Sequence, residues 1–405
     1  MDNDKLNRKL GQLGSLIGSK SKKSQSSPKS PPDRYRKFAS KLQGELYSNF
    51  AGSFCIVRER YGRDYTHGTA ELGKTDLRPV PEHAFEIDDS PGTIPFESML
   101  FFDTETTGLG GAGTVPFLVG CGSIVDGSFE VRQYLVPDYP DETAMLEALQ
   151  EELTPETYLV TYNGKSFDLP LVRDRFIINR VAREIPLAGH IDLVHACRRL
   201  FRRRLVDCKL TNIERELFAF HRNDDIPGYL IPSIYFDWLS EDRLDLLPEV
   251  LLHNRLDIVT LLFLTRHIAD VFESEGESLY ETDDLHSLAR IYGRRRQDNE
   301  VARLYERIDE GAGLSDDALF YHAQSFKRMG DWSQAVGIWV RLADSESRQG
   351  YLACLELAKY HEHRTKDIGL ALQYARQASR SVPTAISHRE ALQHRLNRLE
   401  RKLAD

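Results

Sequence analysis

Three short stretches of this 405-residue chain hold acidic side chains at spacings that could do chemistry. In FFDTETTG, Asp103 and Glu105 stand two apart at the end of an apolar run, and residues i and i+2 of a strand project to one face. Two carboxylates leaving a buried strand side by side repel each other and are costly to desolvate, so the pair asks for a metal cation between them. Solvated strand-end acids are the plainer alternative. In YNGKSFDLPLV, Asn163-Gly164 reads as a turn, Ser166 as a helix N-cap and Asp168 as a first-turn residue, where the helix dipole favours a carboxylate with or without any further role. In LLHNRLDIVTL, His253 and Asp257 are four apart and share one helix face. An imidazole with the ordinary pKa of ~6.5 suits a general base near neutral pH, and a lone histidine on such a helix is more often structural.

These residues need elements to position them. SMLFFD, FLVGCGSIV and SFEVRQYL read as three consecutive strands, the last two joined by the hairpin signal Asp126-Gly127. A helix is expected from Glu142 to Glu152, a strand at TYLVTY, a helix from Ser166 to about Val181, and a long helix from Leu246 to about Phe272. Antiparallel meander, helix, strand, helix and long closing helix is the element order of a ribonuclease H-like α/β fold, a mixed sheet with flanking helices, over residues 98–275. Beyond Asp283 only helical periodicity remains. Ala289 and Ala302, Ala323 and Ala335, and Ala358 and Ala371 recur inside a period of about 34 residues, and MGDWSQAVGIWVRL places a Gly-Asp turn before a helix. Residues 284–405 are therefore expected to be all-α repeats resembling tetratricopeptide repeats, with a generic helical bundle as the alternative.

FFDTETTGL resembles the first motif of the DnaQ-like (DEDD) 3′–5′ exonuclease superfamily, YNGKSFDLPLV its second, and LLHNRLDIVTL its third. With THGTAELG, HIDLVHACRRLF, CKLTNIERELF and DDIPGYLIPSIYFDWL added, the chain from about Phe54 onward looks like the YprB-type ribonuclease H-like family, which joins such a domain to C-terminal tetratricopeptide-like helices. The resemblance implies that Asp103, Glu105, Asp168 and Asp257 hold two Mg²⁺ or Mn²⁺ ions and that His253 acts as general base. It implies that Thr106, Thr107 and Asn163 position a terminal nucleotide, and that Phe167 supports the second motif, either as core or as a stacking surface. The chain departs from the superfamily at one point. The histidine form of the third motif has four residues between His and Asp and the tyrosine form three, and His253 stands at the tyrosine spacing. The implied activity is hydrolysis of phosphodiester bonds in single-stranded DNA or RNA, with a 3′–5′ exonuclease ahead of an endonuclease on the same chemistry. A catalytically weak binding protein that recruits a partner through its repeats is the reading from another class.

The bulk composition fits a multi-domain globular chain, with 41% hydrophobic and 28% charged residues. A net charge of -9 excludes wholesale coating of nucleic acid, so contacts with a polyanion must be local. Arg198, Arg199, Arg202, Arg203 and Arg204, and Arg294, Arg295 and Arg296, are the candidates for such contacts, with solvated helix faces as the plain alternative. Residues 1–33 are rich in Ser, Lys and Pro and are expected to be a disordered basic tail, and residues 34–97 an N-terminal extension packed on the nuclease domain. Five scattered cysteines indicate neither a zinc ribbon nor a disulfide framework, and no apolar run suits a membrane span or signal peptide, so a cytoplasmic protein is expected. Asp192 and His67 are noted without an assigned role.

Overall fold

A computed structural model describes residues 31–85, 92–108, 111, 113–311, 313–381 and 386–404. The tail expected over 1–33 lies outside the described residues except for its last three, and Asp33 already opens helix α1 (Asp33–Lys41).

Seven strands make the main sheet: β1 (Glu45–Asn49), β2 (Gly52–Tyr61), β3 (Met99–Thr106), β4 (Pro116–Val125), β5 (Ser128–Leu135), β6 (Tyr158–Thr161) and β7 (Gly189–Asp192). Their order across the sheet is β1-β2-β5-β4-β3-β6-β7. The pairs from β1 to β3 are antiparallel, and β3-β6 and β6-β7 are parallel, which gives the mixed sheet of a ribonuclease H-like fold. Asp126 and Gly127 both take positive φ, 49° and 74°, as a two-residue primed hairpin turn requires. The segment 34–97 does more than cover the domain, because β1 and β2 extend the sheet beyond β5 with Arg60 opposite Glu130.

Helices flank both faces. On one face α2 (Glu142–Gln150) and α3 (Asp168–Ile178) bury Leu146, Leu149, Val172 and Phe176 against Leu100, Phe102, Val119 and Leu159. The other face carries α4 (Leu193–Phe201), α5 (Leu210–Phe218) and α7 (Leu247–Glu273), which pack on Phe101, Phe129, Val131 and Val160. Helix α6 (Ile231–Glu241) seals one end with Trp238 against Phe38. Alternation along β3 turns Leu100 and Phe102 to one layer, and Phe101, Asp103 and Glu105 to the layer of α7.

Two local expectations are corrected. The helix expected from Ser166 to about Val181 runs only from Asp168 to Ile178, and Ser166 is not its cap. Residues 163–166 close a turn of their own, with the Ser166 amide donating to the Asn163 carbonyl at 3.2 Å, so the helix begins two residues later with Phe167 at the cap position.

The C-terminal region is a succession of helices, each packed on the next: α8 (Thr282–Arg294), α9 (Asp298–Gly311), α10 (Asp316–Met329), α11 (Trp332–Ala343), α12 (Arg348–Tyr360), α13 (Ile368–Ala378) and α14 (Ile386–Ala404). Ala289, Ala302, Ala323, Ala335, Ala358 and Ala371 are all buried, as small residues must be where helices approach closely. A one-turn π segment, His361–Thr365, follows α12 and places Glu362 beneath Arg395, Arg398 and Lys402 of α14. Among the described residues no helix is long and apolar enough to cross a membrane, and the five cysteines are unbridged.

Candidate active site

The three acidic stretches meet at the end of β3. Asp103 and Glu105 come off that strand, Asp257 comes from α7 above its face, and Asp168 begins α3 on the opposite layer. Asp168 is reached through Thr104, whose side chain points to that layer and donates to Asp168 Oδ1 at 2.5 Å. Asp103 is fixed by a residue the sequence did not single out. Asn254, fully buried in α7, donates from Nδ2 to Asp103 Oδ2 at 2.8 Å, and its own Oδ1 accepts from Gln133 Nε2 at 2.8 Å. Gly120 lies opposite Asp103 on β4, and a Cβ there would come within 2.4 Å of Asn254 Oδ1, so only glycine leaves room for this amide.

The electrostatics of the group are one-sided. Burial, reinforced by Asp257 and Asp168, pushes the carboxyls of both Asp103 and Glu105 well above the usual range. Burial also lifts Asp168 to about 6, against the pull of its Thr104 hydrogen bond. The Arg222 guanidinium offsets this crowding in part at Glu105. It donates to Asp257 and to Glu214, and it lies 3.2 Å from Asp225. Among the described residues no three Asp, Glu, His or Cys side chains are drawn tightly enough together to form a finished metal cage, because Asp257 is turned toward Arg222 and Asp168 toward Thr104. Oxygen-only donors, buried and held short of positive charge, are nevertheless the donor set that hard divalent cations take.

His253 faces this group. Its Nδ1 lies 2.7 Å from Asp225 Oδ1, while Nε2 is 3.9 Å from Glu105 Oε1 and 3.8 Å from Asp257 Oδ2. An ionised carboxylate only accepts, so Asp225 fixes the proton on Nδ1 and leaves Nε2 turned to the site. The loop after α5 supplies both Arg222 and Asp225, and through them it orients a histidine that stands at the tyrosine spacing.

Behind Asp257 the polar chain continues inward. Glu214 bonds Thr260, and Thr260 Oγ1 lies 3.0 Å from Nε2 of His67, which is fully buried and stacked on Phe220 and Phe263. Burial, with a smaller push from Arg222, holds the His67 imidazole down at about 3, so it is neutral and packs as part of the wall.

A cleft of about 570 Å³ opens beside Asp168, lined by Thr104, Thr106, Ser166, Phe167, Leu171 and Ile178 among others. Phe167 is 57% exposed there, so it is a surface of the cleft and not core. Thr106 lines the cleft, with its hydroxyl donating to the Gly108 carbonyl at 2.6 Å. Thr107 and Asn163 are set apart from it. Thr107 Oγ1 accepts the Val115 amide at 3.0 Å, and Asn163, at φ 69°, gives its amide N–H to Asp192 Oδ1 at 2.6 Å. Asp192 also accepts from the Lys165 amide and from Val194 at the start of α4, so it ties the loop ahead of Asp168 to that helix.

Residues 100–269 match the RNase_H superfamily. The chain is 33% identical over 362 residues to the uncharacterized protein YprB of Bacillus subtilis (strain 168), an alignment that covers 87% of each protein. The chain belongs to the YprB family. Its ribonuclease H-like domain places it in the class of nucleic-acid-processing nucleases, with nucleic acid as the partner. Within this YprB-type chain, Asn254, Arg222, Asp225 and Glu214 are the residues that motif reading passed over. Their local signals were slight: Asn254 stands beside His253 within the third motif, and Asp225 belongs to the Asp224-Asp225 pair just ahead of Pro227.

Proposed function

We propose that this protein is a divalent-metal-dependent nuclease that removes nucleotides from the 3′ ends of single-stranded DNA or RNA. The observation that carries the reading is the convergence of Asp103, Glu105, Asp168 and Asp257 from three elements, the first two held far from easy ionisation by burial and by the charges of Asp257 and Asp168. These four are the residues that would hold two Mg²⁺ or Mn²⁺ ions. Such ions, when bound, make water a nucleophile at neutral pH and neutralise charge on the scissile phosphate. The chain's own groups do the rest. His253, oriented by Asp225, takes a proton at Nε2 from the attacking water. Asn254 keeps Asp103 in one rotamer, and Arg222 holds Asp257 near the site. Phe167 offers a face on which a terminal base can stack, Thr106 offers a neighbouring hydroxyl, and Thr107 and Asn163 shape the loops that carry them. The C-terminal helices, read as tetratricopeptide-like, serve as a docking surface for a protein partner.

The test uses 3′- and 5′-labelled single-stranded DNA and RNA of about 30 nucleotides, with circular controls, in chelator and then in Mg²⁺ or Mn²⁺. A metal-dependent ladder shortening from the 3′ end, with circles intact, is expected. Cleavage of circles would make the protein an endonuclease, and undiminished activity in chelator would overturn the proposal.

A further inference from the structure

The two arginine groups, far apart in sequence, come together. A cleft of about 630 Å³ between α4 and α8 is lined by Arg198, Arg199, Arg202, Arg203, Arg290 and Arg294, together with His195 and Ser287. A second, of about 420 Å³, shares Arg290 and Arg294 with it and continues past Arg296, Arg328, Tyr305 and Tyr321. Among the described residues no carboxylate lines either cleft, in a chain whose net charge is -9. Some of the arginines are occupied: Arg203 pairs with Asp317 at 3.3 Å, Arg328 pairs with Asp298 at 2.5 Å, and Arg290 lies over the Tyr321 ring at 4.6 Å. Arg198, Arg202 and Arg294 are exposed, and among the described residues none of them has a carboxylate in salt-bridge range. Like charges gathered in a concave surface repel one another, and a bound polyanion relieves that repulsion.

We propose that this joined cleft is a binding track for the sugar–phosphate backbone of single-stranded nucleic acid, leading from the carboxylate site to the C-terminal helices. The proposal rests on the nuclease reading for its direction but not for its chemistry. Geometry links the two places: Asp192 caps α4 and holds the amides of Asn163 and Lys165, so the loop that delivers Asp168 sits at the start of the basic helix. His195, Arg198 and Arg202 then follow along α4, and Arg202 is about 15 Å from Asp192 by helical rise. The cleft favours a single strand because guanidinium groups of α4 and α8 face it together, and the part-buried Tyr321 ring under Arg290 offers an aromatic edge beside them, which suits a flexible backbone better than a rigid duplex. It also gives the helical region a share in holding substrate.

The decisive measurement is the anisotropy of a labelled 30-nucleotide single strand bound to the full chain in EDTA, where nothing is cleaved. The Arg198→Glu/Arg202→Glu/Arg294→Glu variant is expected to bind at least about tenfold more weakly, with the slope of log Kd against log salt reduced by about 2 for three lost phosphate contacts. The matching Gln triple, which adds no repulsion, should shift binding the same way by less. A control with the same charge change elsewhere, Arg36→Glu/Lys37→Glu/Arg341→Glu, should stay within about twofold of the parent. In Mg²⁺ the Glu triple should lose about tenfold more activity on the 30-mer than on a dinucleotide, which is too short to reach the track. Parental affinity in the folded Glu triple, an equal loss in the control, or tighter binding of a duplex than of the single strand would each overturn the proposal. If the parent binds the strand in EDTA yet cleaves nothing in Mg²⁺ or Mn²⁺, the nuclease reading falls and the track stands.

Discussion

Of the places where the molecule buries carboxylates, two do so on opposite terms. At the end of β3, four acids crowd together with Arg222 as their neighbouring cation, and burial pushes Asp103 and Glu105 well up. In the helical region a single acid, Glu362, is 2% exposed and receives hydrogen bonds from Arg395 at 3.0 Å, Arg398 at 2.7 Å and Lys402 at 2.8 Å. Burial works against ionisation there too, but the bonds from Arg398 and Lys402 win and bring Glu362 down to about 2. The second arrangement is complete in itself and ties α14 to the turn after α12. The first leaves Asp103 and Glu105 raised, the imbalance that the metal ions of the proposed nuclease would relieve.

The sharpest way to break this contrast is to remove an acid from the crowded site. Asp103→Ala or Asp168→Ala should lower turnover by about 10³-fold or more while the circular dichroism spectrum is retained. Residual activity near the parent level would show that the site lies elsewhere.

His253 comes next. His253→Ala should cost about 10² to 10⁴ in turnover and remove the acidic limb of the pH–rate profile, with metal affinity nearly unchanged. His253→Tyr should keep measurable activity, and Asp225→Asn should displace the limb while leaving the ring in place. An unaltered pH profile in His253→Ala would reduce the histidine to a structural role.

Stability tests the two networks against each other. Arg222→Ala strands buried Glu214 beside Asp257 and should cost about 3–5 kcal/mol in urea unfolding. Glu362→Ala should cost less, about 1–3 kcal/mol, because Arg398 and Lys402 are 39% and 45% exposed and water screens them once the acid is gone. A larger loss at Glu362 would make α14 more integral than the burial of its partners indicates.

The smallest effect carries opposite signs at the two places. Asp103 is raised in the folded state, so its contribution is present below the unfolded pKa near ~4 and lost as pH rises through the folded value. Asp103→Asn should therefore stabilise the metal-free protein by about 1–2 kcal/mol at pH 8, with no gain near pH 4. Glu362 is lowered, so its contribution is present above ~4.5 and lost as pH falls toward about 2. Glu362→Gln should accordingly destabilise at pH 7 and progressively less in acid. Thermal melts of both variants across that range check the two signs together.

Much of this was legible in the sequence where a pattern was long or a turn was specific. Strand β5 matches its expected span, and α7 lies within a residue of its expected ends, because alternation and an uninterrupted apolar helix leave few alternatives. The meeting of Asp103, Glu105, Asp168 and Asp257 at the strand end followed the order of their motifs. The rest depended on distant contacts. Strand β2 acquires meaning only through pairing with β5, and β1 through β2, and four-residue β7 is too short to carry a period. Ser166 had the right chemistry for a cap, but the Asn163 turn consumed its backbone. Arg222 and Asp225 sit on a loop, where periodicity says nothing, and Asn254, between His253 and Arg255, lay in a helix read for its histidine and aspartate.

The antiparallel pairing of β2 with β5 has a bearing on the order in which the chain is made. The superfamily match begins at residue 100, yet β2 leaves the ribosome before that stretch and has only β1 to pair with until β3 and β4 have followed and β5 emerges. A chain started at the match would expose the whole hydrogen-bonding edge of β5, a template for joining another molecule edge to edge, and would leave Thr260 without His67. The early hairpin is thus a waiting edge guard, and a nascent chain that lost it would be expected to find its missing strand in a neighbour.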